Sequence, residues 1–301
     1  MTSLAPLPEV ARLSRLVVRV LGLNPGPFTL QGSNTYLCGE GSSRILVDAG
    51  EGASGYLPLL QRSLAAHGAE RVSDVVITHF HHDHTEGLRD LRQAFGKELR
   101  VWKVDPGYTG EHGPSWGSDY AGEGIEVRPL ADGDVVTSED GSASIECIVT
   151  PGHTPDHCCF LLHQERAIFT GDTVLGGSSA VFEDLHAYMD SLTRLHQLAR
   201  RSPWGGGGAT GGAAGGSALP KARRRSRSPA KRVERGPRDS GDAAEAELTA
   251  IYPGHGPVLP DAVKAVGEYI ENRNAREAGV VRALGSLWGR ALGLTPLGLT
   301  G

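Results

Sequence analysis

Residues 78–84 read Thr78-His79-Phe80-His81-His82-Asp83-His84. Four side chains of that string, His79, His81, Asp83 and His84, follow a His-x-His-x-Asp-His spacing. Imidazoles and a carboxylate at this density do not make a core, because each buried polar group needs its own partner, whereas one shared cation satisfies several of them together. The string follows a strand-like run, Val72–Thr78, and precedes a helix-like run, Leu88–Phe95, which Thr85 is placed to cap. The four residues therefore sit on a loop that leaves the carboxyl end of a strand.

Working outward, strand-like runs occur at Leu16–Leu21, Thr35–Cys38, Arg44–Val47, Ser144–Thr150, Cys158–Leu162, Ala167–Thr170 and Leu248–Tyr252, with helix-like stretches at Tyr56–His67 and Tyr188–Arg200. Three of the later loops each carry one further ligand type: Pro151-Gly152-His153-Thr154, Thr170-Gly171-Asp172-Thr173 and Pro253-Gly254-His255-Gly256-Pro257. Glycine permits the sharp backbone that aims such a side chain, and proline stiffens the loop. Seven ligand-type residues from four loops make a dinuclear pattern. The natural grouping gives His79, His81 and His153 to one ion and Asp83, His84 and His255 to the other, with Asp172 bridging them.

A donor set of imidazole and carboxylate without thiolate suits two zinc ions, with manganese or iron as alternative occupants. The expected nucleophile is a hydroxide held between the ions, and Asp83 and Asp172 are the carboxylates assigned to catalysis. Asp48, after the strand Arg44–Val47, is either an acceptor that orients a liganding histidine or an ordinary turn residue. His82 is expected to be exposed. His67, His112, His157, His163, His186 and His196 have no motif context and are assigned surface or packing roles.

The 301 residues, 39% hydrophobic and 22% charged, suffice for one large α/β domain or two modest ones. No run approaches the roughly 18 apolar residues of a membrane span. The amino end lacks the features of a secretory signal; its Arg12, Arg15 and Arg19 give a weak organelle-targeting slope, but a first strand is the better reading. Cys38, Cys147, Cys158 and Cys159 show no paired spacing and read as buried thiols, the adjacent pair facing opposite sides of a strand. Residues 204–245 are glycine-rich and then Arg/Ser-rich, and are expected to be disordered. Their nine Lys or Arg against four Asp or Glu give that segment +5 and leave −10 on the rest of a chain whose net charge is −5. The basic run is a solvated excursion, a peculiarity of the transcript, or a nucleic-acid tether or import signal.

The metal string with His153, Asp172 and His255 in matching loops resembles the metallo-beta-lactamase superfamily. Stretches outside the metal residues, Asn24–Pro27, Thr29–Leu37, Val181–Leu185, Tyr188–Leu192 and Ile251–Pro257, are similar to its beta-lactamase-like protein 2 family of animal endoribonucleases, over about residues 8–203 and 248–277. The resemblance implies an αββα sandwich formed by residues 1–203 and 248–280. A disordered insertion (204–247) interrupts it, and an atypical tail (281–301) replaces a winged-helix-like segment, leaving the C-terminal helical part truncated. It also implies zinc-dependent hydrolysis of single-stranded RNA in the mitochondrial matrix, without a DNA duplex or membrane partner. The seven ligands carry over position by position. The alternatives are a thioester hydrolase of the glyoxalase II type, which an acidic body favours over a phosphate-chain binder, and a nonproductive metal-binding isoform. Substrate choice is expected from the Asn34-Thr35 loop, Pro106–Gly124 with Trp116 and Tyr120, and Gly176–Phe182.

Overall fold

In the computed structural model, which describes residues 5–105, 125–200 and 248–291, successive residues of a strand enter different hydrophobic clusters. Tyr36 and Cys38 face one cluster and Leu37 another, and Ile45, Leu46 and Val47 repeat the alternation. The period of two is what a pleated strand imposes, so strands buried on both faces must lie between two packed layers.

Two sheets result. The first has seven strands in sequence order: β1 (Val10–Arg12), β2 (Val17–Leu21), β3 (Asn34–Cys38), β4 (Ser43–Val47), β5 (Arg71–Ile77), β6 (Arg100–Val104) and β7 (Val127–Leu130). Its strands are antiparallel as far as β4 and parallel from β4 to β7. The second sheet contains β8 (Val135–Thr137), β9 (Ser144–Val149), β10 (Cys158–Leu162), β11 (Ala167–Gly171) and β12 (Ala250–Pro253), in the order β12-β11-β10-β9-β8. Only its β11–β12 pair is parallel.

Between the sheets lies a core that includes Tyr36, Ile45, Val47, Val76, Phe160 and Phe169. On the outer face of the first sheet pack α1 (Tyr56–Ala66) and α3 (Leu88–Phe95), through Leu59, Leu60, Leu64, Leu88 and Leu91. On the outer face of the second pack α4 (Leu185–Ala199) and α5 (Ala262–Ala291), through Tyr188, Leu192, Leu195, Ala262 and Val266. The layers are therefore αββα. Each helix follows from its apolar spacing: α1 buries Tyr56, Leu59, Leu60, Ser63 and Leu64, one stripe of a 3.6-residue helix. Asp184 caps α4 by accepting the Ala187 amide at 3.0 Å.

Cys158 faces the inter-sheet core and Cys159 the outer cluster, as alternation requires. Thr85 does not cap α3. It closes a one-turn helix, α2 (His82–Thr85), and donates to the His81 carbonyl at 3.0 Å, while Gly87 occupies the cap position of α3 without a side-chain bond. Asn34 and Thr35 form no loop either: both are buried in β3. The insertion and the loop with Trp116 and Tyr120 lie outside the described residues, yet β12 beyond the insertion keeps its pairing with β11, Ala167 opposite Ala250. Helix α5 runs unbroken across position 281, where the sequence reading placed a boundary. No helix among the described residues is long and apolar enough to cross a membrane.

Candidate metal centre

All seven sequence-identified side chains meet at one end of the two sheets. His79, His81, Asp83 and His84 follow β5 directly, His153 follows β9, Asp172 follows β11 and His255 follows β12. These positions lie at or just beyond the carboxyl ends of their strands, where open α/β sheets bind ligands. Six of the seven are buried, and His81 is half-buried.

Two groups form. Donor atoms of His79, His81, His153 and Asp172 lie within 4.8 Å of one another, and so do those of Asp83, His84 and His255. Asp172 spans them: its carboxylate is 3.7 Å from His153 Nε2, 3.5 Å from His84 Nε2 and 3.4 Å from His255 Nε2. Gly254 makes room for it, since a Cβ there would stand 2.4 Å from Asp172 Oδ1.

Neighbouring groups orient three of the rings. His153 Nδ1 lies 2.7 Å from the Val181 carbonyl, which can only accept, so Nδ1 carries the proton and Nε2 keeps its lone pair. Asp48, buried, lies 2.8 Å from His84 Nδ1 and fixes that ring in the same way. The Thr78 hydroxyl also donates to Asp48 and sits 3.0 Å from His79 Nδ1, leaving His79 Nε2 for the cluster. Asp48 is thus the orienting acceptor, held at a φ of +59° that a carboxylate residue tolerates better than most.

These orientations bring unprotonated nitrogens together. His81 Nδ1 is 3.0 Å from His79 Nε2 and 3.1 Å from His153 Nε2. A single proton on His81 can serve only one of those neighbours, whereas a cation serves all three. Asp172 Oδ1, between the two groups, and His255 Nδ1, in the second, are buried without a hydrogen-bond partner among the described residues. The donor set therefore fits divalent ions: imidazole and carboxylate, convergent, and buried.

The electrostatics agree. Burial, then neighbouring His84 and His153, holds His79 far below the usual imidazole range. Burial and His153 bring His81 down to about 4. Burial opposes protonation of His84 too, but Asp83, Asp48 and Asp172 raise it well above normal. Asp172 and Asp83 lift His255 to about 9 against its burial. The second group thus demands positive charge, which a metal ion supplies in place of protons.

One residue escaped the sequence reading. His157, assigned a packing role, is fully buried beside the centre with its ring 5.2 Å from that of His79. Its Nε2 accepts the Asp172 amide at 3.2 Å, and its Nδ1 faces the Thr150 hydroxyl at 3.0 Å. His157 fixes the backbone of the bridging aspartate. Only the Asp156-His157 step into β10 could have flagged it, and that pair has no ligand spacing. His82 is exposed, as expected.

The sequence profile of the metallo-beta-lactamase superfamily matches residues 28–210. The chain belongs to this superfamily. As a metallo-beta-lactamase superfamily member it is 35% identical over 291 residues to a beta-lactamase-like protein 2 homolog of Caenorhabditis elegans, covering 94% of this chain and 76% of the relative. It is 43% identical over 211 residues to an atrochrysone carboxyl ACP thioesterase of Aspergillus fumigatus, covering 69% of this chain and 60% of that protein. The superfamily fold is shared with a metallo-beta-lactamase family protein of Thermus thermophilus, at a TM-score of 0.60 and 19% identity over 91% of this chain and 84% of the other. A beta-lactamase domain protein from Burkholderia ambifaria gives 0.61 at 18% identity over 94% and 82%. The chain is a metallo-beta-lactamase superfamily hydrolase with metal-type His/Asp clusters.

Proposed function

We propose that this hydrolase cleaves phosphodiester bonds of single-stranded RNA at a centre of two divalent ions, zinc in the first instance. The observation that carries the reading is where the endoribonuclease-like sequence lies. Those stretches surround the centre: Ser33 donates to Asp83 at 3.0 Å, Asn34 holds the Pro253 and Gly256 carbonyls at 2.9 Å each, and the Val181 carbonyl takes the His153 proton. The likeness to the nematode relative over 94% of the chain supports the same reading. The mitochondrial matrix location inferred from the resemblance belongs to this proposal.

In this reading His79, His81 and His153 hold one ion, Asp83, His84 and His255 hold the other, and Asp172 contributes to both. Bound divalent ions lower the pKa of water and offset charge developing on the attacked and leaving oxygens. Asp172, kept ionised against its burial chiefly by His255 and His84, fixes the spacing of the two groups. Asp83, ionised against its burial chiefly by His84 and His255 and accepting from Ser33, would be the carboxylate ligand of the second ion. Asp48 and Thr78 keep the rings of His84 and His79 aimed inward.

A second reading is hydrolysis of an acyl thioester by the same centre. The 43% identity to a fungal ACP thioesterase favours it, and so does a net charge of −10 outside the basic insertion. Cleavage of end-labelled single-stranded RNA by the zinc-loaded protein, with S-lactoylglutathione hydrolysis in parallel, separates the two. RNA cleavage abolished by chelator and by Asp172→Asn is the expected result. Thioester turnover alone moves the protein to the second reading, and silence on both substrates rejects both.

A further inference from the structure

The segment Leu175–Phe182 crosses the back of the centre and touches the backbone or ring of a histidine in each cluster. The Gly176 amide donates to the His255 carbonyl at 2.9 Å. At its other end the Val181 carbonyl accepts from His153 Nδ1 at 2.7 Å. The first contact is so close that a Cβ on Gly176 would meet the Pro257 carbonyl oxygen at 2.0 Å. This strap therefore sets where His255 stands and which His153 nitrogen faces the cluster.

Helix α5 grips the strap from outside with two residues four apart, on one helical face. The Tyr269 hydroxyl accepts the Leu175 amide at 2.8 Å and faces the Leu175 and Ser178 carbonyls. Arg273 donates to the Ala180 carbonyl, and its guanidinium lies 4.8 Å over the Phe182 ring and 5.5 Å over Tyr188, which are themselves stacked. The groups that Arg273 holds, Ala180 and Phe182, flank Val181 on both sides. Beyond the strap, the Glu183 amide donates to the Gly152 carbonyl at 2.8 Å, next to His153 itself.

We infer that Arg273 is a positioning residue for the metal centre: it locks Ala180 and Phe182 so that the carbonyl between them fixes the tautomer and direction of His153. The inference rests on the reading of His153 as a metal ligand. A planar guanidinium suits the task because it donates to a carbonyl while covering an aromatic face, which an ammonium does less well. Partners that orient a liganding histidine commonly change metal affinity by about 10- to 100-fold when removed.

The test uses the full chain and cobalt(II) alone as probe, with affinity read by chelator competition and ligand geometry by the visible absorption of the bound ion. Thermal unfolding in chelator checks that each variant is folded. Arg273→Met is expected to bind cobalt(II) about 10-fold more weakly with an altered spectrum, Arg273→Lys to fall between it and the wild type, and Arg276→Met, at an exposed position, to match the wild type. If Arg273→Met does not fold, Phe182→Leu removes the ring under the guanidinium and is expected to weaken binding in the same direction. Unchanged cobalt(II) affinity and spectrum in a folded variant would overturn the inference alone. Absence of binding by the wild type would overturn the metal-centre reading on which it rests.

Discussion

The Asp48 carboxylate lies 2.8 Å from Nδ1 of His84 and also takes the Thr78 hydroxyl, which in turn meets His79. One buried acid thereby orients a histidine in each cluster. Asp48→Asn keeps the size but removes the charge and offers a donor where His84 needs an acceptor. Its expected effect is a roughly 10- to 100-fold loss of metal affinity, measured by chelator competition, with little change in the chelated protein's secondary structure. Affinity equal to the wild type would reduce Asp48 to a turn residue.

The two clusters should differ in proton release. His255, raised to about 9, is mostly protonated at neutral pH in the metal-free protein. His81, lowered to about 4, is not. Because a ligand must shed its proton to bind, filling the second cluster at neutral pH should release protons and strengthen as pH rises towards 9, whereas the first should meet competition at His81 only near pH 4. Calorimetric titration in buffers of different ionisation enthalpy measures the release. The same proton count for both ions would contradict the assignment.

Lys103 and Asp156 form an ion pair with both partners buried, joining β6 of the first sheet to the loop that carries His153. Removing one partner leaves a buried charge, which typically destabilises by about 3–5 kcal/mol. Lys103→Met should show that loss in urea denaturation, and Lys103→Met with Asp156→Leu should recover most of it. A single variant as stable as the wild type would mean that the pair is solvated in solution.

The Leu248 amide lies 3.4 Å from the Ala199 carbonyl, so the chain on either side of the insertion is already joined. A connection of about 45 residues in place of about 5 costs only about 2 kcal/mol of closure entropy. Deleting residues 204–245 should therefore raise stability by about that amount and leave metal content unchanged. Loss of hydrolysis with metal retained would give the insertion a part in substrate binding.

The same physics explains what the sequence disclosed. Strands such as Ile45-Leu46-Val47 are buried on both faces and read as apolar runs, and the seven polar donors stood out against them. Strand β6 did not, because Arg-Val-Trp-Lys-Val holds two cations that only tertiary pairing accommodates: Arg100 with Asp74 at 2.6 Å and Lys103 with Asp156. Strand β7 contains Pro129 and sits at a sheet edge, where a missing donor is tolerated, and β8 has only three residues, also at an edge. Thr85 obeyed local capping chemistry in isolation, but placing Asp83 and His84 used that turn as a helix of its own. His157 acts through a backbone amide 15 residues away, a contact no spacing rule reports.

Metal stoichiometry tests the dinuclear centre most directly. The purified protein, loaded with zinc and dialysed, should hold two ions per chain by elemental analysis, and Asp172→Asn, which removes charge from the first-cluster residue that also approaches His84 and His255 of the second, should retain fewer. Two ions in both proteins would remove Asp172 from its bridging place, and none in the wild type would contradict the metal centre itself.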